Sequence, residues 1–297
     1  MDRKEFGKLV ATLRQDMDWT QFQLAEYADL DVAVVSQIER GVKKYFEPDM
    51  LFRLANVFHL TTWERREFFL ASSGVTEGQI VRQPSAALAT DTVNAQKALS
   101  KMVELVAQLR VPAFLLDVYS DVLAINYVAV AFFQIPPEML ATVDKIPGGY
   151  NAIRLMFGKD LVARSRITDG WEHYAIQTMR FFREASLRYR AKPYFKYLLK
   201  AFRNPAEYPL FDRYWKLVSS IEDDREMNID LFTYTHLDFG RLSYATATTT
   251  SITSFGELLL NQYMPLNDQT KDFFNELTSK CGQGALPLSP WPEKKMV

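Results

Sequence analysis

Apolar positions in the first 75 residues recur at helical spacing, in runs short enough to predict five helices in succession. Phe6, Leu9, Val10, Leu13 and Met17 form the inner stripe of the first. Thr20 stands where an N-cap belongs, and Gln23 three residues on completes a capping box for the second, whose inner face is Leu24, Ala25 and Ala28. Asp31 caps the third, Val35 and Ile38 point inward, and Gly41 ends it. Pro48 opens the fourth, with Leu51, Leu54, Ala55 and Phe58 inside. The fifth starts near Thr62, packs Trp63, Phe68, Phe69 and Leu70, and stops at Gly74.

The periodicity lapses over 76–92, where Gly, Pro, Ser and Thr indicate a linker. A helix from Val93 to Leu109 follows, a connector on which dimers can align. After Pro112 the grammar changes. AFLLDV and VLAIN predict a hairpin across the turn residues YSD. Helical segments then run from about Val128 to Trp215, broken at Pro136–Pro137, Pro147–Gly148–Gly149, Pro193 and Pro205. IDLFTYTH, the Thr-dense LSYATATTT and ELLLNQYMPL add three strands, and a helix over about Asp268–Lys280 closes the pattern. The expected class is α+β: an all-α five-helix domain over 1–75, then a PAS-like domain over 93–297 with a five-stranded antiparallel sheet and helices on one face.

Composition narrows this further. The 297 residues are 48% hydrophobic and 24% charged, an ordinary globular balance on a two-domain length. Cys281 has no partner for a disulfide, and no apolar run resembles a signal peptide or a membrane span. A cytoplasmic protein without membrane insertion is expected. Net charge is −1, and residues 1–75 alone hold ten Lys/Arg against twelve Asp/Glu, so any attraction for a polyanion must be a local patch.

The stretch TQFQLAEYADLDVAVVSQIERG, Thr20 to Gly41, places two short helices around a tight turn. It resembles the Cro/repressor-type (XRE) helix-turn-helix family, with Thr20–Gln21 at the opening, Leu24–Glu26, and the close Ser36-x-Ile38-Glu39-x-Gly41. The resemblance spans roughly residues 6–74. It implies double-stranded DNA as partner, with Thr20 among the contacting residues, Gln21 at a phosphate, Val32, Ala33, Ser36 and Gln37 facing base edges, and Lys43 and Lys44 on the backbone. Val32-Ala33-Val34 is apolar where polar or basic residues are usual in the family. Such side chains touch thymine methyls, which leaves Gln37, with adenine as its natural target, as the direct reader. A helical bundle that uses the same geometry only to pack, or to bind protein, is the alternative.

Nearly the whole chain, from ERGVKKYFEPDM onward, also resembles the MmyB-like transcription regulators. The motifs are Val122-Leu123-Ala124-x-Asn126, Asn151-x-x-Arg154-x-x-Phe157 and His236-x-x-x-Gly240-x-Leu242. DRYWKLVSSIEDDREMN departs from the family's usual acidic and histidine-bearing segment. The resemblance implies a homodimeric regulator whose PAS-like domain holds a long-chain fatty acid or similar amphiphile, with no required cofactor. Ligand-lining candidates are Phe114, Tyr127, Trp171, Tyr174, Thr178, Phe181 and Phe182, with Arg154 for a carboxylate head group. An aromatic stripe at helical spacing is equally read as core, and Arg154 as one half of a structural salt bridge. Between Arg180 and Arg203 stand eight Lys/Arg and only Glu184 as acid. That run reads as a solvated face, or as the seat of an anionic partner such as a lipid head group, flanking DNA or the acidic stretch Ile221–Glu226.

Other chemistry finds no residues. His59, His173 and His236 lack metal-ligand spacing, and no phosphate-binding glycine loop, nucleophile elbow or paired-carboxylate site is evident. Neither catalytic nor metal residues are expected. Two functions remain: a ligand-sensing DNA-binding regulator, or a DNA-binding protein whose C-terminal domain serves only dimerisation or protein interaction.

Overall fold

The computed structural model describes residues 1–74, 94–146, 148–159, 171–221, 230–236, 239–253 and 255–296. The expected linker at 76–92, and the acidic stretch beyond Ile221, lie outside the described residues.

Five helices form the N-terminal region: α1 (Arg3–Asp16), α2 (Gln21–Tyr27), α3 (Val32–Glu39), α4 (Pro48–Val57) and α5 (Thr62–Ser72). Their ends are set locally. Thr20 Oγ1 accepts from the Gln23 N–H at 3.2 Å while Gln23 Oε1 accepts from the Thr20 N–H at 2.8 Å, closing the expected capping box. Asp31 caps α3 through the Ala33 N–H at 2.6 Å, and Gly41 just beyond α3 takes φ 69°. Leu24, Ala25, Val35 and Ile38 are buried with Phe6, Leu9, Leu54 and Phe68 in one core. Leu187, from the C-terminal region, is buried in that same core. At Gly7 a Cβ would lie 2.4 Å from the Ile38 carbonyl oxygen, so glycine there lets α1 lie directly on α3.

The second region is built on a six-stranded antiparallel sheet in the order β3-β4-β5-β1-β2-β6. The strands are β1 (Ala113–Asp117), β2 (Val122–Asn126), β3 (Asp230–His236), β4 (Gly240–Thr253), β5 (Gly256–Pro265) and β6 (Ala285–Pro287). The sixth strand, which the Pro-rich tail gave no pattern for, pairs Ile125 with Leu286 and covers the edge of β2. α6 (Ala95–Gln108) precedes the sheet. α7 (Tyr127–Phe132), α8 (Pro137–Thr142), α9 (Ala152–Phe157), α10 (Trp171–Ser186), α11 (Pro193–Phe202) and α12 (Phe211–Ser220) fill the middle, and α13 (Asp268–Cys281) follows β5.

Strand alternation sends side chains to two faces. Phe114, Leu116, Leu259 and Tyr263 point to the side covered by α7 and α13, where Phe114 and Tyr263 join Phe132, Phe273 and Phe274, and Leu116 and Leu259 join Ile125 and Ala129. Leu115, Leu258 and Leu260 point the other way, onto Val106 of α6 and Trp291 of the tail. Helix therefore covers both faces rather than one. The physical reason is that β1 and β2 are apolar on both sides, and α6, expected as a dimer connector, supplies the second cover. α9 to α12 make a separate helical lobe centred on Phe182, Phe195, Phe202 and Phe211.

Candidate nucleic-acid interface and ligand cavity

Capping and packing of α3 decide which side of it meets solvent. Val35 and Ile38 are locked in the core, so Val32, Ala33 and Gln37 are exposed and Ser36 is half-buried beside them. Arg40 extends the same ridge one turn further and its Nε donates to the Ser36 carbonyl at 3.3 Å. The chain then turns outward through Val42, half-buried Lys43, exposed Lys44 and Tyr45, the last 84% exposed. Arg40 and Tyr45 were missed in the sequence, although Arg40 follows Gln37 at a spacing of three, which places both on one helix face.

Behind the ridge lies a polar brace. Arg14 donates from Nε to Glu39 Oε1 at 2.6 Å, from Nη2 to Glu39 Oε2 at 3.0 Å and from Nη1 to the Trp19 carbonyl at 2.6 Å. Gln21 Nε2 also donates to Glu39 Oε2, at 2.7 Å. The Gln21 amide thus tethers α2 to α3, and a phosphate at this point would compete with Glu39 for it. Thr20 is exposed at the start of α2 with its hydroxyl engaged in the cap. The turn between α2 and α3 is held by Arg53, which donates to the Asp29 carbonyl at 2.6 Å, where Asp29 takes φ 50°.

The basic run of α10 and α11 divides: Lys192, Lys196 and Lys200 are exposed, whereas Arg180, Arg183 and Arg190 are buried. Glu64 of α5 is wholly buried and receives Arg183 Nε at 3.0 Å, Arg183 Nη2 at 2.8 Å and Arg190 Nη2. Burial pushes the Glu64 carboxyl up, but the two guanidinium groups outweigh it and hold it at about 2. Both guanidinium groups also stack on Trp215, at 4.9 and 5.1 Å from its ring centre. Arg188 reaches Glu67 at 3.6 Å, and Lys192 reaches Glu5 at 3.0 Å. Arg183, Arg188, Arg190 and Lys192 thus meet Glu64, Glu67 and Glu5 of the N-terminal region, while Arg203 reaches Asp212 at 3.7 Å.

The ligand candidates do not converge on one space. Phe114 is half-buried on the sheet, edge-on to Tyr263 at 5.9 Å. Tyr127 is exposed at the start of α7, its N–H donating to the Gly284 carbonyl at 3.1 Å. Trp171 packs between Phe157 at 6.1 Å and Tyr214 at 5.5 Å. Tyr174 is buried on Phe232 at 4.1 Å, with its hydroxyl on that of Tyr244. Thr178 is half-buried midway along α10. Phe181 and Phe182, about 100° apart on that helix, enter different clusters: Phe181 toward Ile125 and Leu259, Phe182 toward Phe195 and Phe202. Arg154, 5% exposed on α9, is the one candidate that lines a cavity of about 590 Å³ between α9 and α11.

Among the described residues no group of three or more His, Cys, Asp or Glu could hold a metal ion. No helix there is long and apolar enough to cross a membrane. Two family models match the chain: the MmyB-like transcription regulator ligand binding domain over residues 98–277, and a helix-turn-helix over residues 10–62. No curated protein matches it.

Proposed function

Because the chain belongs to the MmyB-like transcription regulators, we propose that it binds double-stranded DNA through α3 and changes that binding in response to a small amphiphile. The observation that carries the DNA half is the exposed ridge Val32, Ala33, Gln37 and Arg40 on a helix whose opposite side is fixed in the core. Gln37 would pair with adenine, worth about 1–3 kcal/mol of discrimination, while Val32 and Ala33 meet thymine methyls. Lys43, Lys44 and Tyr45 would follow the backbone past the groove. So few direct readers call for a homodimer on two half-sites and for a contribution from DNA shape. The protein would act in the cytoplasm.

A long-chain fatty acid is the ligand that the family resemblance suggests. Ten buried methylenes would contribute about 8 kcal/mol gross, at roughly 0.8 each, before ordering costs. Coupling to DNA has a physical route in this reading. Phe182 packs on Phe195 and Phe202 of α11, which walls the cavity, and its neighbour Arg183 grips Glu64 on α5. A ligand that shifts α11 would act on α10 and so on the seating of the helix-turn-helix region. A second reading, in which the C-terminal region serves only dimerisation, is favoured by the packing of Tyr174 and Phe182 inside filled aromatic clusters. Denaturing extraction with mass spectrometry, followed by DNA binding with and without the extracted molecule, separates the two. A stoichiometric amphiphile that shifts DNA affinity supports the first; an empty extract and no response to added lipid leave the second.

A further inference from the structure

We infer that the groove between α4 and α5 docks an acidic, amphipathic segment of a partner protein. The groove shares no residue with the DNA-reading ridge on α3 or with the cavity between α9 and α11. Its floor is apolar. Phe52 of α4 meets Phe69 of α5 edge-on at 4.9 Å, and Leu70 lies beside them. Phe52 is 50% exposed and Leu70 49%, whereas Phe58 and Phe68 on the same two helices or at their ends are sealed in the core. Large apolar side chains held half in water on adjoining helices mark a surface that a partner covers.

The rim fixes the partner's charge. Arg65 and Arg66 stand on it, and none of the lining residues is acidic. Arg65 is held by neutral groups, donating to the Leu60 carbonyl at 2.9 Å and to Asn56 Oδ1 at 2.6 Å. Exposed Arg66 lies over the Trp63 ring at 5.5 Å. Among the described residues neither reaches a carboxylate, whereas Arg14, Arg53, Arg183 and Arg190 each do. The acids of α5 are engaged elsewhere: Glu64 receives Arg183, and Glu67 receives Arg188. Two positive charges beside an apolar floor complement a segment with apolar residues on one face and carboxylates flanking them.

Shape and charge also separate the possible occupants. The groove measures about 550 Å³, but its half-exposed walls cannot enclose the roughly 70–90% of a ligand's surface that a small-molecule pocket covers. A furrow between two helices suits a third helix laid along it. A two-fold contact with a second copy would set this patch against itself, crowding arginines together with no acid in the lining. A DNA backbone would use the arginines and gain nothing from Phe52 and Leu70.

Fluorescence anisotropy of the full chain with three labelled peptides tests this. The first is a helix former of about sixteen residues, with Leu at i, i+3, i+4 and i+7 and Glu on the flanks. The second has Lys in place of Glu, and the third keeps the acidic composition with the Leu positions scrambled. Wild type is expected to bind the first at least tenfold more tightly than either of the others. Arg66→Glu should erase or reverse the preference for Glu over Lys, with the effect shrinking in high salt. Phe52→Ser should weaken the first peptide about tenfold, as loss of an aromatic anchor does, and Leu70→Ser reads the same wall from α5. Circular dichroism melting checks that each variant folds. All three should leave affinity for a duplex obtained by binding-site selection unchanged. If wild type does not prefer the first peptide, or if folded variants keep the wild-type preference, the site is overturned. A tenfold loss of DNA affinity in Arg66→Glu assigns the arginines to the DNA backbone and overturns it as well. So does sedimentation showing that wild type self-associates and that Phe52→Ser separates it, which makes a second copy the occupant.

Discussion

Glu64→Gln removes the charge that joins the two halves of the molecule. Glu64 has a second role as the N3 residue of the α5 capping box, where its Oε2 accepts from the Thr61 N–H at 2.8 Å. Glutamine can keep that cap through its one oxygen, but its NH2 then faces Arg183 Nε and Arg190 Nη2, so the substitution removes the charge and the acceptor for those two donors. The carboxyl is held at about 2 against an ordinary 4.5. At about 1.4 kcal/mol per unit this corresponds to roughly 3 kcal/mol of stability at neutral pH. Loss of one partner from a buried ion pair independently suggests about 3–5 kcal/mol, because Arg183 and Arg190 would remain buried without their counter-charge. The pH dependence has a definite sign. A depressed carboxyl stabilises the fold fully above 4.5, and this contribution is lost as pH falls from 4.5 through about 2. Urea unfolding of both proteins at pH 7 and at pH 3 is the assay. Glu64→Gln should lose about 3 kcal/mol at pH 7 and differ less from wild type at pH 3. A cost below about 1 kcal/mol at pH 7 would refute the argument, as it is the range of a solvent-screened surface pair.

Gln37→Ala is expected to weaken a selected DNA site by about tenfold to hundredfold and relax one base position, read by binding-site selection. Lys44→Ala should lower affinity for all sequences alike and reduce the salt slope by about one, read by anisotropy titration across salt concentrations. Lys294 sits on Asp117 and, at 2.8 Å, on Asp121. Lys294→Met leaves two buried carboxylates facing each other and should cost about 3–5 kcal/mol, seen as a lowered thermal midpoint; an unchanged midpoint would count against the tail as a structural strap. Gly7→Ala drives a methyl into the backbone of α3 and should reduce DNA binding together with stability, a coupling visible by comparing melting curves with titrations.

Sequence by itself determined what is decided within a few residues. The caps at Thr20 and Asp31, the Pro48 helix start, the inward Val35 and Ile38, and so the outward Val32, Ala33 and Gln37, all follow from side chains that bond or pack within one or two turns. The hairpin of β1 and β2 and the Thr-rich β4 follow from period-two alternation and β-branched content. Tertiary structure decided what depends on partners far along the chain. Glu64 and Arg183 are 119 residues apart, and nothing near Arg183 announces that its charge is spent on α5 rather than in water. The stripe on α10 reads as one surface, yet Phe181 and Phe182 enter different clusters because the sheet and α11 pack on different sides of that helix. β6 exists because β2 had an open edge within reach of the tail, a fact of sheet order that no local pattern encodes. Arg154 was legible as a cation on α9, but the cavity it lines together with Tyr197 and Lys200 exists only once α9 and α11 lie side by side.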